Sequence, residues 1–499
     1  MRKKKAIINI FFSLLLELIT AISGFIVPRM IISNYGSITN GLINSVSSFI
    51  GYISILQLGV GSVIKASLYK PLAKKEYDRV NVIVKTASNF FKKIGFITII
   101  YVIILMFVFP LFISKQFDFF YTSLLIIIIG VSTIFTYLFG ITYHMLIEAD
   151  QKSYIFSIIQ IITVILNTAI IVILINLNFS ILFVKGISAI VYILRPIILN
   201  LYVRKKYKIN NKVCSDEKVI SQRWDGFAQG LAYYIHSKTD IFVLSIFSSL
   251  ENVSIYSIYA LVTNGLNMVL SSIDKAVRSV FGSIIAKNEN AHLRNIFDAY
   301  NLVYQIICTI LFSTACITIF SFISIYIGNK NDIDYINYTF GLIILSAEYV
   351  YCLRMPYNSI IFAAGKFKET KKSAFVEALL NIFISVILVY HFGLVGIALG
   401  TLIAMIYRTV NFIVFLHKNI LMIQYDNQIK RFCIDTIAYL LGIFVISMFN
   451  FNITNFIEWF IYLFVVLLID SIVVFSINFI LYKKNVIKSI ALLLNKKKE

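Results

Sequence analysis

Charge is what this sequence has least of: Asp, Glu, Lys and Arg make up 14% of its 499 residues, where soluble domains carry about a quarter. A chain so poor in polar surface cannot face water on all sides, which excludes a soluble globular fold. Acids are the scarcer sign, 24 against 45 bases, leaving a formal net charge of +21. Cysteine is sparse and scattered (Cys214, Cys308, Cys316, Cys352, Cys433). With no CxxC or other ligand spacing, these read as small buried apolar residues rather than a metal site. Walker, HExxH and GxSxG motifs are missing, so neither direct ATP drive nor a catalytic residue is assigned, and no metal or cofactor is implied. The gaps assigned to the outer face are short, about ten residues at most, which argues against a glycan polymerase or ligase with a large outer loop. The first apolar run is too long for a removed signal peptide and lacks a small-residue cleavage site.

What is present is apolar. Hydrophobic residues are 59% of the chain and the mean hydropathy is +0.86. Runs of about 20 apolar residues recur from end to end, and a backbone in lipid must satisfy its own hydrogen bonds, so each run reads as a spanning helix. Fourteen spans are expected near 6–27, 38–64, 94–113, 119–143, 154–176, 180–203, 227–248, 253–273, 302–327, 335–361, 374–391, 394–416, 432–449 and 457–481. Basic residues collect in alternate gaps, among them Lys65–Lys93, Arg204–Arg223, Lys275–Arg294 and Lys418–Arg431, and in both termini. That is the positive-inside pattern; it puts both termini in the cytoplasm and explains the net charge without a nucleic-acid partner. Segments 65–93, 284–300 and the tail mix apolar and basic residues at helical spacing, and read as helices lying on the inner leaflet, in contact with membrane lipids.

An internal repeat organises these spans. Ala73-Lys74 and Ala286-Lys287, Lys65 and Arg278, and Arg195 and Arg408 are each about 213 residues apart (286 − 73, 278 − 65, 408 − 195), and Asn167 and Asn381 match to within one residue. Six spans per copy is an even number, so the repeat is parallel. The expected fold is all-α: two pseudo-symmetric six-helix lobes plus a C-terminal helix pair. Residues 1–203 form the N-lobe, 204–226 a cytoplasmic linker, 227–416 the C-lobe, 417–482 spans thirteen and fourteen, and 483–499 a basic amphipathic tail.

Ionisable residues inside spans are costly and mark a polar path. Lys238, Arg354, Arg195 and Arg408, with Arg29 after Pro28, are candidate cavity cations. Asp240 sits two residues from Lys238, which points the two apart on a helix. Glu17, Asp240 and Glu348 are candidate ion-coupling residues, for Na⁺ or H⁺. Asp470 stands isolated in the last span, and Tyr233, Tyr234, Tyr256 and Tyr259 could stack on sugar faces. A cavity with several cations and few acids suits an anionic cargo, because guanidinium and ammonium groups compensate phosphate oxygens by charge-assisted hydrogen bonds.

The stretches FIVPRMIISNYGSITNGLINSVSSFIGYISILQLGVGSVIKASLYKPLAKKE (25–76) and HSKTDIFVLSIFSSLENVSIYSIYALV (236–262) resemble the openings of the two lobes of bacterial polysaccharide-repeat-unit flippases. These belong to the multidrug/oligosaccharidyl-lipid/polysaccharide exporter superfamily. The resemblance implies a V-shaped, two-lobed transporter of the bacterial cytoplasmic membrane. Its cargo would be undecaprenyl-diphosphate-linked oligosaccharide, flipped to the outer leaflet by alternating access, with other polysaccharide-assembly membrane proteins as candidate partners. By position, Arg29, Lys238 and Arg354 are the nearest counterparts of the family's basic cavity residues. Span one lacks the denser arginine cluster of lipid II flippases. The alternatives are a cation-coupled multidrug exporter of the same superfamily, which needs an acid-rich and more apolar cavity, and a membrane glycan polymerase or ligase.

Overall fold

A computed structural model describes residues 2–113, 116–207, 209–210, 213–220, 234, 239–287, 289–328, 332–366, 368–447 and 453–494. These are predominantly helical, with no strand among them. Two compact units emerge, Met1–Ile246 and Phe247–Glu499.

The first unit contains α1 (Arg2–Tyr35), α2 (Ser37–Gly51), α3 (Val60–Lys74), α4 (Tyr77–Ile113), α5 (Phe119–Phe135), α6 (Ile141–Ala149), α7 (Ser153–Asn176) and α8 (Ile181–Lys206). The helix α9 (239–247) follows. The second unit contains α10 (Leu250–Ala286), α11 (Asn290–Ile327), α12 (Tyr338–Leu353), α13 (Met355–Ala363), α14 (Lys371–Phe392), α15 (Leu394–Leu416), α16 (Asp426–Ser447) and α17 (Phe456–Leu494). Ten helices among the described residues are long and apolar enough to cross a membrane. The other four expected spans are interrupted or only partly described. Span two breaks into α2 and α3 around Gly59, whose φ of 81° suits glycine. Span ten breaks at Arg354, with Pro356 opening α13. Spans seven and thirteen run into residues outside those described.

The repeat is visible in helix boundaries. α4 and α11 begin 213 residues apart (290 − 77), as do α8 and α15 (394 − 181). The π-helical turn Thr136–Gly140 that joins α5 to α6 ends 214 residues before the break at Arg354 (354 − 140). Polar caps start several helices: Asp118 accepts from the amides of Phe120 and Tyr121, and Ser180, Ser249 and Asn337 each cap one further helix.

Two of the segments expected to lie on the inner leaflet, 65–93 and 284–300, bury apolar residues against protein, while the end of the tail, 495–499, lies outside the described residues. α4 is one helix of 37 residues, about 55 Å at 1.5 Å per residue, and α11 is its counterpart of 38. Their apolar stripes pack into protein: Val80, Ile83, Val84 and Phe91 are buried in the first unit, Phe297 and Tyr300 in the second. An amphipathic stripe can be covered by lipid or by neighbouring helices, and here helices cover it. Pro28 likewise does not end α1, which continues to Tyr35. At the edge of the first unit Lys152 pairs with Asp150 at 2.5 Å, and Asp150 accepts from the Tyr207 hydroxyl. Burial, then that hydrogen bond, hold the Tyr207 phenol well above its ordinary range.

Helices α14 and α15 pack very closely because Gly396 and Gly400 face α14. A Cβ on Gly396 would overlap the Leu388 carbonyl oxygen, and one on Gly400 would stand 2.8 Å from the Ser385 backbone nitrogen. This is the small-xxx-small device by which helices in lipid gain contact. Gly396→Ala and Gly400→Ala are each expected to lower stability by about 1–3 kcal/mol, since backbone atoms cannot step aside. Gly186→Ala, with nothing within 4 Å of the added carbon, should leave the detergent melting temperature unchanged or slightly higher. Equal melting of all three variants would refute this packing.

Candidate functional site

Three of the intramembrane charges converge in the second unit. Arg354, at the break between α12 and α13, pairs with Glu377 of α14 at 2.8 Å through Nη1. Arg408 of α15 approaches the other oxygen of the same carboxylate, Nε to Oε2, at 3.6 Å. Arg354 is 5% exposed, Glu377 5% and Arg408 4%, so the group is sealed in protein. Both guanidinium groups also face the Phe412 ring, at 5.8 Å for Arg354 and 4.3 Å for Arg408. Two cations share one anion, which leaves one excess positive charge. Nε of Arg354, and Nε and Nη1 of Arg408, find no hydrogen-bond partner among the described residues.

This changes the reading of Arg354 and Arg408. They were expected as cations lining a cavity; they are instead buried and committed to Glu377. A buried guanidinium needs an anion within reach, because the desolvation penalty is several kcal/mol per ion. Glu377 went unread because it stands near the start of the span expected at 374–391, where a carboxylate looks like a boundary residue. The repeat could have found it: Glu377 stands 214 residues after Thr163 (377 − 163), and Thr163 holds the equivalent arginine.

In the first unit Arg195 of α8 donates from Nε to the Thr163 hydroxyl at 2.6 Å and lies 4.3 Å above the Tyr192 ring. Tyr192 accepts from Asn167 at 2.9 Å, and in the second unit Asn381 donates to Thr401, also at 2.9 Å. One slot therefore holds a hydroxyl in one unit and a carboxylate in the other. Lys65 and Arg278 are a second matched pair. Lys65 meets Glu148 of α6 at 2.8 Å. Arg278 meets Asp274 at 3.0 Å and Ser359 of α13 at 3.1 Å, and Asp274 accepts further from Ser359 and Tyr300.

Arg29 is exposed and Glu17 half-buried, both on α1. Asp240 is buried in the first unit beside Tyr52 and Thr239. Glu348 on α12 accepts from Asn267 of α10 at 2.7 Å. Lys238 and Tyr233 lie outside the described residues. Tyr259 is fully buried and bonds the backbone at Tyr335, so it is a packing residue rather than a sugar platform. No group of three metal-ligating side chains occurs among the described residues. Glu377→Gln should cost about 3–5 kcal/mol by stranding two buried guanidinium groups. Thr163→Val, which removes a neutral partner, should cost about 1–3 kcal/mol. Thermal unfolding in detergent checks this; equal losses in the two variants would contradict the assigned triad.

Comparison with known proteins bears on the fold alone. No family model and no curated protein matches the chain. Among solved structures, the lipid II flippase MurJ in an inward closed conformation matches 95% of this chain and 99% of its own, with a TM-score of 0.69 and 17% identity. The MATE multidrug transporter DinF-BH matches 84% of this chain and 95% of its own (TM-score 0.59, 15% identity). An inward-facing multidrug resistance MATE family transporter of the MOP superfamily matches 82% and 97% (TM-score 0.53, 12% identity). The chain is a multi-pass all-α membrane protein with the fold that these MurJ and MATE structures share.

Proposed function

We propose that this protein is a transporter that moves an anionic, lipid-linked oligosaccharide from the inner to the outer leaflet of the cytoplasmic membrane. The cargo would be of the undecaprenyl-diphosphate class, carried by alternating exposure of one site to the two faces. The observation that carries the reading is a local surplus of positive charge at one arginine site in each unit. Arg195 is held by a hydroxyl rather than an acid, and Arg354 and Arg408 share a single carboxylate. Uncompensated charge in a low-dielectric interior projects a positive potential well beyond contact distance, and that attracts a diphosphate. The same potential disfavours an organic cation as cargo. The likeness to MurJ, named as a lipid II flippase, supports a lipid-linked substrate.

Direct contact with the diphosphate then falls to Arg29 and Lys238, while Arg354 and Arg408 set the field and hold the helices. The membrane potential, negative inside, favours outward movement of an anion by roughly 2.3 kcal/mol per charge per 100 mV. Both termini are assigned to the cytoplasm on the alternation of basic gaps.

Deleting the gene should make lipid-linked glycan accumulate at the inner leaflet and deplete it from the cell surface. Complementation with Arg29→Ala or Lys238→Ala should restore the protein but at most about a tenth of the surface glycan, the loss of a charge-assisted phosphate contact. Arg354→Ala should instead lower the amount of folded protein. Normal surface glycan together with lost drug tolerance in the deletion strain would overturn the assignment and favour drug export.

A further inference from the structure

A cavity of about 660 Å³ opens in the first unit, and neither Arg195 nor Lys65 lines it. Three pieces of chain make it. One wall is α4 from Thr86 to Ile97. The second is the break between α2 and α3, where the 3-10 turn Tyr52–Gln57 ends and Leu58 and Val60 line the space. The third is the stretch 213–220, which contributes Ser215 and, at the start of the short turn Glu217–Ile220, Glu217. That stretch is fixed to α4. The Asp216 amide donates to the Thr86 hydroxyl at 2.9 Å, and Val219 packs against the buried cluster that holds Val84 and Phe91.

The cavity changes character along α4. The uncharged run 94–113 rises about 30 Å at 1.5 Å per residue, which matches the hydrocarbon core. Lys92 and Lys93 therefore stand at its inner boundary, on the face assigned to the cytoplasm. Both are exposed, and both line the cavity. One turn further in, Phe96 is 62% exposed and Ile97 47%, and they line it too. From there an exposed stripe continues along the helix through Ile100, Ile103, Ile104 and Phe107. Steps of three or four residues put these on one face, along which a lipid chain can lie.

Cations at the membrane boundary with apolar walls below suit an amphiphile with an anionic head. Charge decides which one. Lys92, Lys93 and Glu217 are the charged residues among the described ones that line the cavity, and they sum to +1 (2 − 1). None of the three forms an ion pair with another described residue. A phosphodiester carries one negative charge and is balanced by that sum; a diphosphate carries more and is not. Asn89 and Ser215 add neutral donors for the head's oxygens. Snorkelling alone would put two lysines at this depth, but it needs no cavity beneath them.

We propose that this cavity binds a singly charged anionic phospholipid of the inner leaflet, with Lys92 and Lys93 on its phosphate and its chains along Phe96, Ile97 and Ile100. The site lies within one unit and does not depend on what the cargo is: its occupant resides there and is not transported. Ser215 and Glu217 belong to the stretch read as the linker, so bound lipid ties that stretch to α4.

Native mass spectrometry of the full-length protein tests this, after delipidation in detergent and incubation with equimolar phosphatidylglycerol and phosphatidylcholine of the same chains. Wild type should retain phosphatidylglycerol at least about fivefold over phosphatidylcholine. Lys92→Gln combined with Lys93→Gln should abolish that preference. Asn89→Trp fills the cavity without changing its charge, and should lower the number of retained phosphatidylglycerol molecules by one. Equal retention of the two lipids by wild type would make them ordinary surrounding lipid and overturns the site; so does an unchanged preference in the double lysine variant. Undecaprenyl diphosphate displacing phosphatidylglycerol from wild type would make the cavity a loading place for cargo, and overturns the choice of occupant. Glycan transport does not enter the readout, so failure of the cargo assignment would leave a positive result standing.

Discussion

The second unit depends on one constraint, the cost of holding charge away from water. Glu377 has to lie between Arg354 and Arg408, since a guanidinium left alone in that interior would lose several kcal/mol of hydration without replacement. Three elements must therefore meet at one point: the break between α12 and α13, the first turns of α14, and the middle of α15. The glycines of α15 make the meeting possible, because Gly396 and Gly400 let its backbone lie directly on α14. The helix break at Arg354, the close α14–α15 packing and the Phe412 ring beside both guanidinium groups are parts of one arrangement.

The two units solve one geometric problem with different chemistry. Each has an arginine on the last helix of its repeat pairing back onto the preceding helix. The first unit answers Arg195 with the Thr163 hydroxyl, the second answers Arg408 with the Glu377 carboxylate. A hydroxyl leaves the cation's charge intact, whereas a carboxylate cancels one of two. The surplus at each arginine site is one charge, reached by different routes. Past the repeat, α16 and α17 pack on α11 and bring the buried Asp435 and Asp470 with them, so the appended pair adds buried acids as well as spans.

The sequence singled out Arg354 and Arg408 but not what surrounds them. Arg354 and Arg408 were legible because any ionisable residue inside an apolar run stands out. Their shared partner was not, since Glu377 sits near a span boundary where acids are unremarkable. Asp470 reads as isolated along the chain, yet it meets Ser313 and Thr314, the latter 156 residues away (470 − 314); serine and threonine occur in so many spans that no pattern singles out these two. The stretches 65–93 and 284–300 were ambiguous for another reason. An amphipathic stripe records that something apolar covers it, and the same spacing serves a lipid surface or a neighbouring helix.

Composition and periodicity by themselves determined that the chain is helical and crosses a membrane many times, and that its first twelve spans repeat at about 213 residues. These follow from short-range rules: a backbone in hydrocarbon must bond to itself, and duplicated segments keep their spacing. Only the tertiary structure decided which charges are spent on one another and which remain uncompensated. Pairing joins side chains from helices far apart in sequence, and a shift of one helical turn would exchange a partner for lipid. That choice, made by the packing of α11 through α17, fixes where the interior of the second unit is positive and where it is acidic.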